Sequence, residues 1–309
     1  MGIVVIGTSF MDIKGFPEDA YIPTGRNVGR VEYIHGGVAR NVVEDIANVE
    51  LRPTYLGIVD DSPMGKAVLE KLRKHKVNCD YVLTQPDGLG LWLAVFDSNG
   101  DVAGSISKRP NAYPLVDLLE HKGDEIFENA DSVVLQVDLH KDIVKKVFDL
   151  AAKYHTKLYA LVSNMSIAAE RRDFLQKFDC FICNQQEAGL LFLDDYEGKT
   201  PEQMRDILSD RVVRANIPAM VVTMGGDGAV YADRCGDKGI CPARPVQVKD
   251  TTGAGDAFCA GVSIGLTYGK SLKDAVDIGT YLAASVITSS ENVCPRFMPS
   301  ELGLDVTVE

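Results

Sequence analysis

The second half of the chain alternates short apolar runs with longer amphipathic segments, and this alternation limits the possible folds more than any other sequence feature. The apolar runs have the length of buried strands and lie at Val133–Leu135, Leu158–Val162 and Cys180–Cys183. The amphipathic segments have helical spacing and lie at Lys141–Tyr154, Ile167–Phe178 and Gln185–Phe192. Strands that alternate with helices are typical of an α/β protein with a parallel, doubly wound sheet.

The N-terminus predicts another strand of the same sheet. Ile3–Ile6 is a continuous apolar run that Gly7 ends, as expected for a central parallel strand. Asp12 follows beyond the carboxyl end of this strand, which is the edge where open α/β sheets bind ligands. We therefore interpret Asp12 as a ligand-binding residue, while a turn aspartate would fit the same position.

A smaller sheet is predicted outside the main one. Arg30–Ile34 largely alternates polar and apolar residues, which is typical of a half-exposed strand. Two apolar runs flank Asp97–Asp101, whose Asn-Gly pair is a strong hairpin signal. Residues from about 13–35 and 88–110 would form this sheet, and we interpret it as a lid that keeps water from the reacting groups. An apolar face on the lid would also allow a homodimer.

The stretch Asp250–Phe258, DTTGAGDAF, carries the clearest chemistry. Gly253 and Gly255 flank an alanine, Asp256 follows at once, and an apolar helix is predicted beyond them. Glycines let successive backbone N–H groups turn toward one point, and a helix start adds free N–H donors and a positive dipole end. The result is an anion hole with a carboxylate at its rim, which phosphoryl transfer to an alcohol requires.

Asp256 has a plainer interpretation as well. A negative charge in the first turn of a helix stabilises that helix by about 0.3–1 kcal/mol without any catalytic role. The same dipole is expected to lower the pKa of Asp256 and to make it a weak base. A weak base suffices for phosphoryl transfer, because the loose transition state needs little early deprotonation.

Three further motifs follow the end of a predicted strand. Gly36–Gly37 precedes a helix that starts near Val38, so these glycines suit either a hinge or a simple turn. Asn184 and Glu187 have the spacing of a capping box, which would fix the glutamate carboxylate at a helix start. Met220–Gly228 is a strand followed by a glycine-rich turn, and out of context this pattern predicts a hairpin.

These motifs resemble those of the PfkB, or ribokinase-like, carbohydrate kinases, and the resemblance covers nearly the whole chain. DTTGAGDAF is similar to the second signature of that family, and GGVARN at residues 36–41 is similar to the first. The resemblance implies a ribokinase-like three-layer α/β/α fold in a single domain of residues 1–309. It also implies an ATP-dependent phosphotransferase with an alcohol group as acceptor.

The resemblance assigns a role to each matched residue. The catalytic base would be Asp256, beside an anion hole formed by Gly253, Ala254 and Gly255. The acceptor would contact Asp12, Gly36, Gly37 and Asn41, although an asparagine in a first helical turn could instead bond local backbone. The nucleotide would lie near Thr223, Gly225, Gly228 and Ala283. Mg²⁺ would be held, largely through waters, near Asn184 and Glu187, and a monovalent cation such as K⁺ near Asp250 and Thr252.

Within the family, four segments resemble pseudouridine kinase most, and they are Asp12–Gly15, Val28–Val31, Gly36–Asn41 and Glu291–Pro295. That resemblance implies the 5′-hydroxyl of pseudouridine as the acceptor. Ser105–Pro110 departs from the pattern of this subgroup in the lid, where the substrate would be contacted. The cations Lys108–Arg109 could therefore meet a sugar phosphate or a sugar acid, or could simply be solvated. A free sugar such as ribose or fructose also stays open.

Composition argues against several other partners. The net charge is −12, and no run rich in lysine or arginine marks a surface for nucleic acid or an anionic membrane. No apolar stretch reaches the ~18 residues of a membrane span, and signal-peptide features are missing at the N-terminus. Seven scattered cysteines, an odd count, indicate reduced thiols in a cytoplasmic protein. Cys180 and Cys183 form a CxxC, but residues three apart on a strand face opposite sides, so a shared metal is not expected.

Two other function classes stay open at this point. A non-catalytic binder of sugars or nucleosides would be marked by loss of the motif residues, yet Asp12, Asn41, Glu187 and Asp256 are all present. A nucleoside hydrolase would want an aspartate cluster for Ca²⁺ near the N-terminus, and the sequence has none. Release of ADP on addition of a sugar or nucleoside would separate a kinase from the non-catalytic binder.

Overall fold

A large β-sheet of eight strands and a small one of four organise the computed structural model, which also contains a two-stranded sheet and describes residues 2–166 and 172–306. The strands, in chain order, are β1 (Ile3–Ile6), β2 (Phe10–Pro17), β3 (Gly29–Gly36), β4 (Thr54–Leu56), β5 (Ile58–Val59), β6 (Leu83–Thr84), β7 (Gly90–Phe96), β8 (Val102–Lys108), β9 (Ser132–Gln136), β10 (Lys157–Leu161), β11 (Cys180–Asn184), β12 (Ala219–Thr223), β13 (Ala229–Asp233) and β14 (Lys238–Cys241). The α-helices are α1 (Val38–Asn48), α2 (Pro63–Lys74), α3 (Leu115–Glu128), α4 (Lys141–Tyr154), α5 (Gln185–Phe192), α6 (Pro201–Arg214), α7 (Ala254–Thr267) and α8 (Leu272–Ile287).

The large sheet has eight strands in the order β14-β13-β12-β11-β10-β9-β1-β4. Neighbouring strands from β4 to β12 run parallel, whereas β13 and β14 pair antiparallel at one edge. The parallel strands therefore end at one common edge of the sheet. The predicted doubly wound, mostly parallel sheet is confirmed.

Helices cover both faces of the large sheet, because its central strands are apolar on both sides. Along β1, Ile3 and Val5 face the core that includes α1, α7 and α8, whereas Val4 and Ile6 face the core under α3, α4 and α6. Each such side chain contributes about 1.5–3 kcal/mol when it is fully buried. The three-layer α/β/α arrangement predicted from the sequence is thereby confirmed. Cys180 and Cys183 also lie in different cores, so their sulfurs face opposite sides of β11.

The small sheet has four strands in the order β3-β2-β7-β8. β2 pairs antiparallel with β3 and parallel with β7, and β7 and β8 form the hairpin that the Asn-Gly signal predicts. The strand predicted near Arg30–Ile34 is β3. Asp12 lies within β2, opposite Ile34 and Trp92, so it belongs to the sheet and not to a turn after β1. This sheet therefore carries Asp12 above the edge of the large sheet.

The helices predicted at Lys141–Tyr154 and Gln185–Phe192 have the same bounds in the structure. Of the helix predicted at Ile167–Phe178, residues 167–171 lie outside the described part of the chain, and Arg172–Lys177 forms a 3₁₀ helix. Helices α3 and α6 were not predicted. No helix in residues 2–166 or 172–306 combines the length and the apolar character that crossing a membrane requires.

Candidate active site

Two cavities lie at the carboxyl ends of the parallel strands, and Asp256 lines both of them. The first has a volume of about 700 Å³ and lies between the small sheet and the ends of β1, β9 and β10. The second has a volume of about 660 Å³ and lies between the ends of β11 and β12 and the helices α7 and α8. Asp256 therefore stands at the junction of two spaces of ligand size.

Two glycines at the start of α7, Gly253 just before the helix and Gly255 in its first turn, bring the backbone close to these cavities. Gly253 has a φ of 83°, and a Cβ there would lie 2.0 Å from the carbonyl oxygen of Asn292. Gly255 differs, because a Cβ added there would have no neighbouring atom within 4 Å outside its own helix. This residue lines the second cavity. Ala254 also lines this cavity but donates its N–H to the carbonyl of Thr251 at 3.2 Å. Of the residues predicted to form the anion hole, Ala254 therefore has its N–H already bonded, and the helix start leaves the N–H groups of Gly255 and Asp256 for an anion.

Asp256 is a half-buried acid held by a short hydrogen bond. Its Oδ2 accepts this bond from Nδ2 of Asn41 at 2.6 Å. Burial raises the pKa of Asp256 to about 7, and the carboxylates of Asp12 and Glu187 act in the same direction. The Asn41 bond and the positive charge of Arg40 oppose this rise in the pKa.

The lowered pKa predicted for Asp256 from the helix dipole is therefore wrong. A dipole contributes about 0.3–1 kcal/mol at a helix start, whereas each pKa unit corresponds to about 1.4 kcal/mol. Loss of hydration is the larger effect here, because the carboxyl is enclosed by the walls of both cavities. Asp256 is thus a stronger base than the sequence indicates.

The residues predicted to bind the acceptor meet in the first cavity, with one exception. Asp12, Gly37 and Asn41 line this cavity. Gly36 is buried beside it, and a Cβ there would lie 2.5 Å from Oδ2 of Asp12. The glycine thus acts indirectly, since it allows the carboxylate of Asp12 to lie against the backbone of β3. Burial raises the pKa of Asp12, while the charges of Lys14 and Arg40 oppose the rise.

Three polar residues of the same cavity were missed from the sequence. Oε1 of Gln136 accepts a hydrogen bond from the N–H of Thr8 at 3.0 Å, and Nε2 of Gln136 donates to Oγ of Ser163 at 3.1 Å. Oγ of Ser163 in turn donates to Oδ2 of Asp138 at 2.7 Å. Each of the three lies at or just after the carboxyl end of β9 or β10. The rule that indicated Asp12 could have found them if it had been applied to every parallel strand.

Aromatic side chains of the first cavity were also missed. Trp92, Tyr113 and Phe10 line it, and Tyr113 packs edge-to-face on His140 with ring centroids 5.0 Å apart. Trp92 comes from β7 of the small sheet and is half-buried. Phe10, Trp92, Tyr113 and His140 come from four separate segments of the chain, so no local sequence pattern connects them.

Lys108 ends the last strand of the small sheet, and it has a different environment from Arg109, which follows it. Arg109 lines the first cavity. Lys108 is ion-paired with Asp87 at 2.7 Å, with both side chains exposed. Arg109 is therefore the one of the two whose surroundings suit contact with an acceptor.

The residues predicted to bind the nucleotide all line the second cavity. They come from the end of β12, from the turn after it and from α8, and they are Thr223, Gly225, Gly228 and Ala283. The turn joins the antiparallel strands β12 and β13, so the hairpin and the binding loop are the same structure. Gly228 has a φ of 94°, and a Cβ there would lie 2.1 Å from the carbonyl oxygen of Cys241, so only glycine fits.

Asn184 and Glu187 form the capping box that their spacing predicts, and both line the second cavity. Oδ1 of Asn184 accepts from the N–H of Glu187, and Oε2 of Glu187 accepts from the N–H of Asn184, each at 2.8 Å. Burial raises the pKa of Glu187, and the charge of Asp138 adds to the rise. Elsewhere, Oδ1 of the exposed Asp250 accepts from the N–H of Thr252 at 2.8 Å.

Comparisons with known proteins agree with this geometry. The model of the pfkB family of carbohydrate kinases matches residues 2–294. The guanosine-inosine kinase of Exiguobacterium acetylicum is 34% identical over 292 residues, which cover 94% of this chain and 95% of that kinase. The pseudouridine kinase of Escherichia coli is 24% identical over 280 residues, covering 88% of this chain and 87% of that kinase.

Solved structures show the same fold. The ribokinase of Arabidopsis thaliana, complexed with ribose and ATP, superposes with a TM-score of 0.84 at 22% identity and covers 99% of both chains. The ribokinase of Giardia lamblia gives a TM-score of 0.82 at 18% identity and covers 97% of this chain and 98% of its own. The chain therefore belongs to the PfkB family of carbohydrate kinases and is an ATP-dependent sugar or nucleoside kinase.

Proposed function

We propose that this kinase transfers the γ-phosphoryl group of ATP to the 5′-hydroxyl of a purine ribonucleoside, guanosine or inosine. The observation that carries the proposal is the position of Asp256 between two cavities. An acceptor in the first cavity and ATP in the second would bring hydroxyl and γ-phosphate together at this acid. Asp256 would accept the hydroxyl proton as the new O–P bond forms.

The backbone at the start of α7 would stabilise the charge that develops on the transferred group. The N–H groups of Gly255 and Asp256 are fixed in direction by the helix, so they need no reorganisation during the reaction. Asp12 would accept hydrogen bonds from ribose hydroxyls, since its carboxylate lines the first cavity. The small sheet would act as the lid that excludes water from this junction.

We propose that Mg²⁺ binds in the second cavity, at Glu187. The capping bond occupies Oε2 of Glu187, and we propose that its other oxygen serves the ion, since Glu187 and Asn184 both line this cavity. One carboxylate plus waters and substrate phosphates is a common environment for Mg²⁺, which would neutralise phosphate charge when bound. We also propose that Asp250 and Thr252 help to hold a monovalent cation such as K⁺.

The walls of the first cavity favour a nucleoside over a free sugar. Trp92, Tyr113 and Phe10 offer aromatic faces, on which a base can stack, and the volume of about 700 Å³ exceeds the need of a pentose. The purine assignment draws on the 34% identical guanosine-inosine kinase. Pseudouridine is the second candidate, because Asp12–Gly15 and Glu291–Pro295 resemble pseudouridine kinase.

A substrate panel tests this assignment through Trp92. We expect guanosine and inosine to give the highest kcat/KM for ADP release, with pseudouridine, adenosine, ribose and fructose lower. Trp92→Ala is expected to raise KM for the nucleoside about 10-fold or more, since a base–aromatic stack is worth about 1–3 kcal/mol. Trp92→Phe keeps an aromatic face and serves as the control. Ribose as the best substrate, or an unchanged nucleoside KM in Trp92→Ala, would contradict the assignment.

We further propose that the outer face of the small sheet pairs with a second copy. Tyr33, Leu93 and Ile106 lie in one row across its strands and are 60%, 43% and 71% exposed. A cluster of exposed apolar side chains on a sheet is typical of an interaction surface. Sedimentation velocity should show a dimer that Ile106→Lys converts to monomer. A wild-type monomer at micromolar concentration would be evidence against this interface.

A further inference from the structure

We propose that Arg40 is a positioning residue for phosphoryl transfer, because its guanidinium fixes the Asn41 amide so that the NH₂ group faces Asp256. The inference rests on the proposed role of Asp256 as the base, and it assigns a function to a residue that the motif comparison leaves without one. Arg40 lies in the first turn of α1, one residue before Asn41. It does not line either cavity, so its effect on the reaction would be indirect.

The Arg40 side chain is completely buried and shares its donors among four partners. Nη1 donates to the carboxylate of Glu44, one helical turn further along α1. Nη2 donates to the carbonyl oxygen of His35 and to Oδ1 of Asn41. Nη2 also lies 3.3 Å from Oδ1 of Asn292. Arg40 thereby contacts the end of β3, the helix α1 and the loop after α8.

The chemistry of these groups settles which way the Asn41 amide points. A guanidinium carries donors only, so the atom of Asn41 that faces Arg40 must be its oxygen. The other end of the amide is then the NH₂ group, which donates to Oδ2 of Asp256 at 2.6 Å. A rotated amide would place an oxygen against the carboxylate and leave Arg40 without this acceptor. Arg40 therefore selects the amide orientation that supports Asp256.

Asn292 reinforces the same orientation from the loop after α8. Its Nδ2 donates to the carbonyl oxygen of His35 at 2.7 Å and lies 3.4 Å from Oδ1 of Asn41. Oδ1 of Asn41 thus lies near two donor groups, Nη2 of Arg40 and Nδ2 of Asn292. Both favour the orientation in which the NH₂ group of Asn41 faces Asp256. Because His35 lies at the end of β3, this network also ties the small sheet to the site of the base.

A purely stabilising role accounts poorly for a buried arginine at this place. Arg40 and Glu44 both have fully buried side chains, and loss of hydration offsets most of the attraction within such a pair. Apolar side chains of similar size would fill the space about as well. The donor geometry of a guanidinium, in contrast, is needed to hold an amide, a carbonyl and a carboxylate at once.

Several charged groups face Asp256, and Arg40 is the cation among those that shift its pKa. The carboxylates of Asp12 on β2 and Glu187 on α5 raise the pKa of Asp256, whose own charge in turn raises the pKa of Asp45 on α1 and of the Cys259 thiol on α7. The Asn41 bond and the Arg40 charge hold the pKa of Asp256 below the value that burial alone would give. Loss of Arg40 removes the charge and loosens the bond, so the pKa of Asp256 should rise.

The test compares the double variant Arg40→Met/Glu44→Gln with Glu44→Gln alone. Removing both charges together keeps the double variant free of an unpaired buried ion, and Lys71 beside Glu44 is partly exposed. We expect kcat of the double variant to be about 10- to 100-fold below that of Glu44→Gln, with KM for ATP unchanged, since a misplaced base costs rate without costing nucleotide binding. The wild type is the second reference if Glu44→Gln does not fold.

A titration of Asp256 followed by carbon-13 NMR separates this inference from the proposed function. The pKa of Asp256 should be higher in the double variant than in Glu44→Gln and in the wild type, whether or not Asp256 is the catalytic base. Equal kcat and an equal Asp256 pKa in the double variant and Glu44→Gln would overturn the role of Arg40. Normal turnover by Asp256→Asn would instead overturn the proposed base. The NMR titration would still show whether Arg40 acts on Asp256 through Asn41.

Discussion

Asp256→Asn is expected to lower kcat by about 10²- to 10⁴-fold and to leave the affinity for ATP nearly unchanged. Positioned general bases contribute rate factors of this size, and an amide cannot accept the hydroxyl proton. The variant has the same shape as the wild type and still offers an oxygen to Nδ2 of Asn41, so the fold and the nucleotide cavity should persist. Coupled release of ADP measures turnover, and titration calorimetry measures ATP binding.

Asp117→Asn is a matched control for this experiment. Asp117 also lies in the first turn of a helix, α3, but it is exposed and lines neither cavity. If the aspartates served only the helix dipole, both variants would lose about 0.3–1 kcal/mol of stability and neither would lose turnover. A kcat within a few-fold of the wild type in Asp256→Asn would show that Asp256 is only an N-terminal charge.

Gly255→Ala is expected to lower kcat/KM for ATP by about 10- to 100-fold while the protein becomes no less stable. A Cβ at this position points into open space in the second cavity, where the γ-phosphate would approach the backbone. Because Gly255 is the second residue of α7 and has no positive φ, alanine should stabilise the protein by about 0.4–1 kcal/mol through the lower entropy of its unfolded chain. Steady-state kinetics with varied ATP and the free energy of unfolding in urea measure the two effects.

Gly253→Ala provides the contrast, two residues earlier and just before the helix. Its φ of 83° disfavours any side chain, and its Cβ would lie 2.0 Å from the carbonyl oxygen of Asn292. This variant should therefore lose both stability and activity, whereas Gly255→Ala should lose activity alone. A fully active Gly255→Ala would mean that no ligand comes close to the backbone at this point.

Much of the fold could be predicted because its signals are local. The bounds of α4 and α5 follow from helical spacing and, for α5, from the capping box of Asn184 and Glu187. Helix α6 carried a similar signal that was not used, since Thr200 and Gln203 form a second capping box with Pro201 at the first helical position. The order of the strands and the pairing of β13 with β12 depend on distant contacts that no local pattern contains.

The candidate site could be predicted only in part, for a similar physical reason. The glycines and Asp256 lie in one short stretch, so their chemistry can be predicted from the sequence. The pKa of Asp256 depends on burial by elements from both halves of the chain, and the sequence-based direction was therefore wrong. The role proposed for Arg40 could not be predicted, because it depends on a contact with Asn292, which is 252 residues away in the sequence.

The central claim is that Asp256, with a pKa of about 7, accepts the proton of the acceptor hydroxyl. A base must be deprotonated to act, so kcat/KM for the acceptor should rise with pH through about 7 and level off above it. The decisive measurement is this pH profile in the wild type and in Asp256→Asn. The account predicts an acid limb with a midpoint near 7 in the wild type and no such limb in the residual activity of the variant. The same limb in both proteins would contradict it.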